Sequence, residues 1–305
     1  MSAMDRPNQD RVSTSASGSP TWWVVFTREL SELWLGGRAL QLILIYSILL
    51  GLYSFLLATN SELKLMPLKE MVLEMVKAAI AVSLFICLII AADSVSGERE
   101  RSTLEGLLLT PASRRQIVAG KFLAAVSPWP VALAIAVPYW YAVSQGDPVF
   151  GRAALWGAVA GSLLAPALTG LGMLVSIRCN TIKASMIASL VPYLLLLIPA
   201  TTAGPSKMYE SYALWYRNQI LQWLNPMAAS SHFLKRVLVD DWHPDVLWIW
   251  LTAPVMFAGL VLVLLFHYGS PSLRLEAETA ERFRPYWERL ATLWRTAGFA
   301  LRSPS

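Results

Sequence analysis

Six stretches of the chain run uncharged over roughly the length of a bilayer: residues 39–59, 78–92, 122–146, 153–177, 184–206 and 246–266. A spanning helix takes about 20 mostly apolar residues. The second stretch is short, and Val76 and Lys77 extend it, with the Lys77 ammonium reaching the interface on its apolar stem. Helices buried in a soluble core are shorter and show a polar face, which these stretches lack. The pattern therefore predicts an all-α polytopic membrane protein with six transmembrane helices.

Prolines interrupt the spans at Pro128, Pro130, Pro138, Pro166, Pro192, Pro199 and Pro254. Each frees a carbonyl and predicts a kink, and Pro199 marks an early end for the fifth span. Gly157 and Gly161 stand four apart, a spacing of small residues that lets helices approach each other closely. Residues 1–20 are polar and read as a disordered tail. Residues 21–36 form an interfacial helix, with Trp22, Trp23, Phe26, Leu30, Leu33 and Trp34 on one face and Arg28, Glu29, Ser31 and Glu32 on the other. The six-span domain covers 21–268. Residues 269–305 are a cytoplasmic or interfacial tail, whose run 286–301 is amphipathic again.

Composition agrees: 55% hydrophobic, 15% charged and mean hydropathy +0.49 exclude an ordinary soluble enzyme and a disordered chain. Two cysteines exclude a disulfide scaffold. Most of the 25 Lys and Arg fall on the side that carries both termini, so the positive-inside rule puts the termini in the cytoplasm of a multi-pass cell-membrane protein. That asymmetry accounts for the net charge of +5 without a nucleic-acid partner. Tyr139, Trp140, Tyr141, Trp156, Trp242 and Trp248 gather at the predicted outer interface, and the longest outer loop is 201–245.

The segment 93–121 between the second and third spans is dense in both charge signs. Ser102 with Glu105 fits a capping box that starts a short helix at Thr103, and Pro111 stops it. Ser113 with Gln116 fits a second box. Such a helix suits a cytoplasmic partner: Leu104, Leu107 and Leu108 fill a groove while Glu98, Arg99, Glu100 and Arg101 pair with its rim. A solvated charged loop is the alternative.

The run GERERSTLEGLLLTPASRRQIVAGK resembles the hallmark of the type-2 ABC transporter permeases, the membrane subunits of ATP-binding-cassette exporters. The residues that carry the resemblance are Gly97, Glu98, Arg99, Glu100, Thr103, Leu104, Glu105, Leu107, Leu108, Thr110, Pro111, Ser113, Arg114, Gly120 and Lys121. It departs at Ser102, where that family usually has Gly. The resemblance implies a coupling element seated on a separate nucleotide-binding ATPase subunit, with Glu98, Arg99, Glu100, Thr103, Leu104, Glu105, Leu108, Pro111, Ser113, Gly120 and Lys121 at that interface. It implies two membrane domains, the second being another copy or a paralogue, and ATP with Mg on the partner. This chain then needs no cofactor of its own and is not an enzyme.

Absences point the same way. A phosphate-binding loop ending at Gly120-Lys121 needs Gly at 115 and Ser or Thr at 122, where Arg115 and Phe122 stand. The uncharged spans lack the ionisable groups that secondary carriers place at mid-membrane. They suit an apolar or amphipathic cargo. Two other readings stay open: a membrane subunit of an ATPase-linked assembly complex, and a membrane-embedded enzyme. For the latter, His232 and His243 are too far apart for a short metal-ligand motif.

Overall fold

The computed structural model describes residues 21–60, 66–104, 112–201, 223–243 and 248–269. These residues are helical, with no strand among them. In chain order the helices are α1 (Thr21–Leu35), α2 (Arg38–Thr59), α3 (Leu68–Glu100), α4 (Arg114–Val126), α5 (Pro128–Ser144), α6 (Val149–Arg178), α7 (Ile182–Thr201), α8 (Pro226–Leu238) and α9 (Trp248–Leu264), the last running into a π-helical turn, Leu265–Gly269.

Five helical stretches are long and apolar enough to cross a bilayer: Arg38–Thr59, Leu68–Glu100, Arg114–Ser144, Val149–Arg178 and Trp248–Gly269. A sixth, Ile182–Ile198, is apolar but shorter. The helix that contains it has 20 residues, which at about 1.5 Å per residue rises about 30 Å. The architecture is the expected multi-pass helical one. The third span is two helices, because Pro128 opens α5 at its first position and the chain turns at Ser127. Pro138, Pro166 and Pro254 lie inside their helices. Pro199 does not end α7, which continues to Thr201.

The most extensive contact is between α3 and α6, and these two carry most of the core. Small residues set their distance. A side chain at Gly172 would sit 2.8 Å from the Leu88 carbonyl, so glycine is what lets the two backbones meet there. Gly157 and Gly161 receive indoles: Trp140 lies over the first and Trp129 over the second, where an added Cβ would fall 2.0 Å from the Trp129 ring. Trp129 Nε1 also donates to Ser162 Oγ (3.0 Å), fixing the ring.

The stretch 201–245, read from the sequence as a long outer loop, contains α8. Asn225 Oδ1 accepts from the Met227 and Ala228 amides, and Pro226 occupies the first helical position. Asn225 Nδ2 donates to the Leu196 carbonyl of α7 (2.9 Å). Met227, Ala228, Phe233, Leu234, Val237 and Leu238 are buried in the main core. At this end of the bundle Asp241 pairs with Lys69 at the start of α3 and with Arg152 in the first turn of α6 (2.6 Å). The Lys69 and Arg152 hydrogen bonds hold the Asp241 carboxyl below its usual range. The run Tyr209–Leu224 falls mostly outside the described residues, as do the tails 1–20 and 270–305.

Candidate functional site

The charged segment singled out in the sequence lies at the opposite end of the bundle, called here the motif end. It is not one loop. Nothing between Asp93 and Glu100 breaks a helix, so α3 continues through this charged turn and stops only at Glu100. The corresponding expectation, a loop over 93–121, narrows to the connection 101–113.

The stop is a Schellman motif. The Ser102 amide donates to the Arg99 carbonyl (3.0 Å) and the Thr103 amide to the Glu98 carbonyl (2.9 Å). Thr103 Oγ1 also donates to the Glu98 carbonyl (3.3 Å). Ser102 takes φ 58°, the left-handed conformation. That corrects its assignment as a helix N-cap: it is the residue after a helix end, where glycine is favoured because a Cβ is strained there. The expected second capping box is present. Ser113 Oγ accepts from the Gln116 amide (3.3 Å), and the Gln116 side chain accepts from the Ser113 amide (3.0 Å).

Lys121 is the centre of the motif end. Its side chain is 1% exposed, and its Nζ stands 2.8 Å from Glu98 Oε1 on α3 and 2.8 Å from Glu29 Oε1 on α1. A buried ammonium held by two carboxylates is tolerable only because its hydrogen bonds are charge-assisted and short. Gly120 makes the arrangement reachable: a Cβ there would lie 2.8 Å from Val25 Cγ1 and 3.0 Å from the Phe26 amide nitrogen, so α1 can lie directly on α4. Glu29, placed on the polar face of an interfacial helix by the sequence, therefore turns inward. Trp34 Nε1 adds a bond to Ser127 Oγ (3.1 Å) at the far end of α4.

Arg99 and Glu100 reach the α6–α7 connection. Arg99 donates to the Cys179 and Ile177 carbonyls (2.7 and 3.2 Å), at the C-terminus of α6. Glu100 Oε2 accepts from the Ile182 amide (2.7 Å), at the N-terminus of α7. A cation sits on a helix C-terminus and an anion on a helix N-terminus, the favourable polarity for both dipoles. Arg38 at the start of α2 pairs with Asp93 (2.6 Å). The charges Glu98, Arg99 and Glu100, expected to face a partner's rim, are thus engaged within this chain. Leu104, expected in a partner's groove, is buried in a local cluster with Val95, Val118, Phe122, Met173 and Ile177. Arg101 and Thr103 are exposed. Glu105, Leu107, Leu108 and Pro111 lie outside the described residues.

One feature of this end went unread in the sequence. The Ala92 carbonyl accepts from three hydroxyls, Ser96 (2.7 Å), Ser176 (2.6 Å) and Ser185 (2.7 Å), and Ser176 Oγ accepts from the Val95 and Ser96 amides (3.2 and 2.9 Å). Three helices meet on one peptide of α3. The signal was serine in otherwise apolar spans, where a hydroxyl needs a buried partner. No set of three or more His, Cys, Asp or Glu arranged to hold a metal occurs among the described residues. His232 packs on Trp250, its ring centroid 4.1 Å away. The motif end can hold and orient its helices, and most of its charges are paired with one another.

Residues 23–272 match the family described as ABC-2 family transporter protein. Among curated relatives, a protein named "Probable multidrug ABC transporter permease YbhR", present in two strains of Escherichia coli, is 28% identical over 164 residues. That match covers 53% of this chain and 42% of the relative, so the chain spans less than half the length of the curated relatives it matches.

Proposed function

The chain belongs to the ABC-2 family of transporter proteins, and on that premise we propose that it is the permease subunit of an ATP-driven exporter. A separate nucleotide-binding subunit binds ATP with Mg and seats on the connection 101–113, at the cytoplasmic face of the cell membrane. A second permease copy, or a paralogue, completes the path.

The observation that supports this reading is the anchoring of the connection at both ends. Its entry is tied through Glu98, Arg99 and Glu100 to α4, α6 and α7, and its exit through Lys121 to α1 and α3. A push on residues 101–113 therefore reaches five helices through short charged contacts instead of dissipating in a free loop. Such contiguous contacts are the physical means by which one site moves another. Arg101, Ser102, Thr103 and Ser113 are exposed among the described residues of the connection, and the ATPase would grip them together with the segment 105–111 that the resemblance assigns to the interface.

The test is co-purification in mild detergent, followed by an ATPase assay and transport into vesicles. Replacing 105–111 by a Gly-Ser stretch of equal length leaves every anchor in place, so the chain should stay folded and lose its ATPase. A chain that recovers no ATPase in several detergents while remaining monodisperse defeats the reading. The cargo class we favour is apolar or amphipathic, in keeping with the uncharged spans.

A further inference from the structure

A cavity of about 420 Å³ opens at the motif end between α1, α2, α3, α4 and α7. Its volume is in the range of small-molecule sites, about 300–1,000 Å³. One side is charged. Four carboxylates line it, Glu29, Glu32, Asp93 and Glu98, against three cations, Arg38, Arg101 and Lys121; Glu29 and Glu98 share the Lys121 ammonium, and Asp93 pairs with Arg38. Two oxygens on this side, Glu98 Oε2 and Asp93 Oδ1, are buried and accept no hydrogen bond from the described residues. Buried acceptors of this kind call for a donor. The other side is apolar, formed by Leu42, Ile45, Ile89 and Met186. Ile45 and Met186 reach the outer surface, 51% and 36% exposed, so the apolar wall opens where a chain can leave into the bilayer.

We propose that this cavity binds an amphiphile with a protonated amine head. The ammonium donates to Glu98 and Asp93, and the apolar chain runs out between α2 and α7 along Ile45 and Met186. The sign of the head follows from the contacts. Lys121 is held by two carboxylates and Arg38 by Asp93, Arg101 is exposed to solvent, and the buried atoms without a partner are acceptors, so a sulfate or carboxylate head would meet the excess of carboxylates. An aminophospholipid of the bilayer and a transported cationic amphiphile offer the same chemistry. The site belongs to this chain alone and is tested without an ATPase, so its failure leaves the transport reading untouched.

The experiment uses the full chain in phosphatidylcholine nanodiscs with a dodecylamine that carries a photoactivatable diazirine on its chain, the labelled peptides being mapped by mass spectrometry. Labelling is expected on 41–45, 89–93 and 182–186, displaced by dodecylammonium at about tenfold lower concentration than by dodecanol or dodecyl sulfate. Met186→Trp, which fills the wall, should cut labelling by the amine and by an uncharged analogue alike. Asp93→Asn should cut only the advantage of the amine. Gel filtration of both variants separates lost binding from lost fold. Competition by phosphatidylethanolamine added to the disc assigns the site to a bilayer lipid, and its absence, with dodecylammonium still competing, to a cargo. Labelling spread evenly onto the lipid-facing residues of α9, equal displacement by all three amphiphiles, or wild-type labelling of both variants overturns the proposal.

Discussion

Lys121 shows how a sequence motif and its physical use can differ. The sequence placed Glu98, Gly120 and Lys121 in one segment; it held no information that Glu29, 92 residues earlier, closes the same cluster. Long-range pairing of this kind is set by helix packing, and a single chain records only the local spacing. The pairing has a measurable size. Removing one partner of a buried charge pair costs about 3–5 kcal/mol, because the other charge is left uncompensated. Lys121→Met should therefore destabilise strongly, and adding Glu98→Gln should recover part of the loss, because one stranded carboxylate is removed. Denaturant titrations of the two single variants and the double variant measure this coupling. Strict additivity would show that the contact carries no energy. Ser102 offers the opposite sign. It holds a left-handed φ of 58°, a conformation that costs a residue with a Cβ about 1–2 kcal/mol. Glycine loses more chain entropy on folding, so Ser102→Gly is expected to stabilise by about 0.5–1 kcal/mol. The departure from the family pattern was legible in the sequence, but its reason was not: capping-box spacing pointed to a helix start at Thr103, and Leu104 is indeed helical, but Ser102 itself ends the preceding helix, which runs beyond its uncharged stretch.

At the scale of elements, small residues decide how closely the helices pack. Four glycines in or beside the spans face different surroundings, and replacement by alanine should rank accordingly. At Gly161 a Cβ would lie 2.0 Å from the Trp129 ring, at Gly120 2.8 Å from Val25, at Gly157 3.0 Å from Val76, while at Gly151 nothing stands within 4 Å. Overpacking a filled site costs about 1–3 kcal/mol, whereas alanine in an open helical position gains about 0.5–1 kcal/mol over glycine. Thermal unfolding should therefore order the variants Gly151→Ala, Gly157→Ala, Gly120→Ala and Gly161→Ala from most to least stable. An unchanged melting point for Gly161→Ala would mean that Trp129 moves aside despite its bond to Ser162. Spacing alone drew attention to Gly157 and Gly161 as places where helices approach closely; both are tightly packed, but by side chains, Val76 and Trp140 at the first and Trp129 at the second, and not by a helix backbone. The same limit applies to α8. Its Asn-Pro start and its apolar positions Phe233, Leu234, Val237 and Leu238 are a local helix signal, but a hydropathy window tuned to 20-residue spans passes over a 13-residue helix buried by its neighbours.

Across the whole molecule, the charges of the described residues gather toward the two ends, and the middle is held by apolar packing and serine hydroxyls. The all-helical, multi-pass plan was legible because bilayer length leaves a signal in every span. What each end does was less so, because both networks join residues from distant helices. At the end opposite the motif, Asp241 bridges Lys69 on α3 and Arg152 on α6. Its carboxyl is held below the ordinary value, so the unfolded chain takes up the proton first on acidification. The bridge's contribution is then whole above the unfolded value of about 3.9 and disappears as pH falls through the lower folded value. The side chain is half exposed, so the effect is small and salt weakens it. Comparison of wild type with Asp241→Asn isolates it: the gap between their melting points should stay level from pH 7 to about 4 and close below that. Hydrogen exchange locates the change. On acidification, amides at 236–243 and in the first turns of α3 and α6 should lose protection before those of α4, since Lys121 and its two carboxylates lie at the other end of the bundle. Parallel loss at both ends would mean instead that α3 and α6, the helices that run the full length and share the largest contact, carry a local opening from one face to the other. On the proposed reading, in which an ATPase pushes the motif end, that behaviour would itself be the transmission, and the Asp241 bridge its far stop.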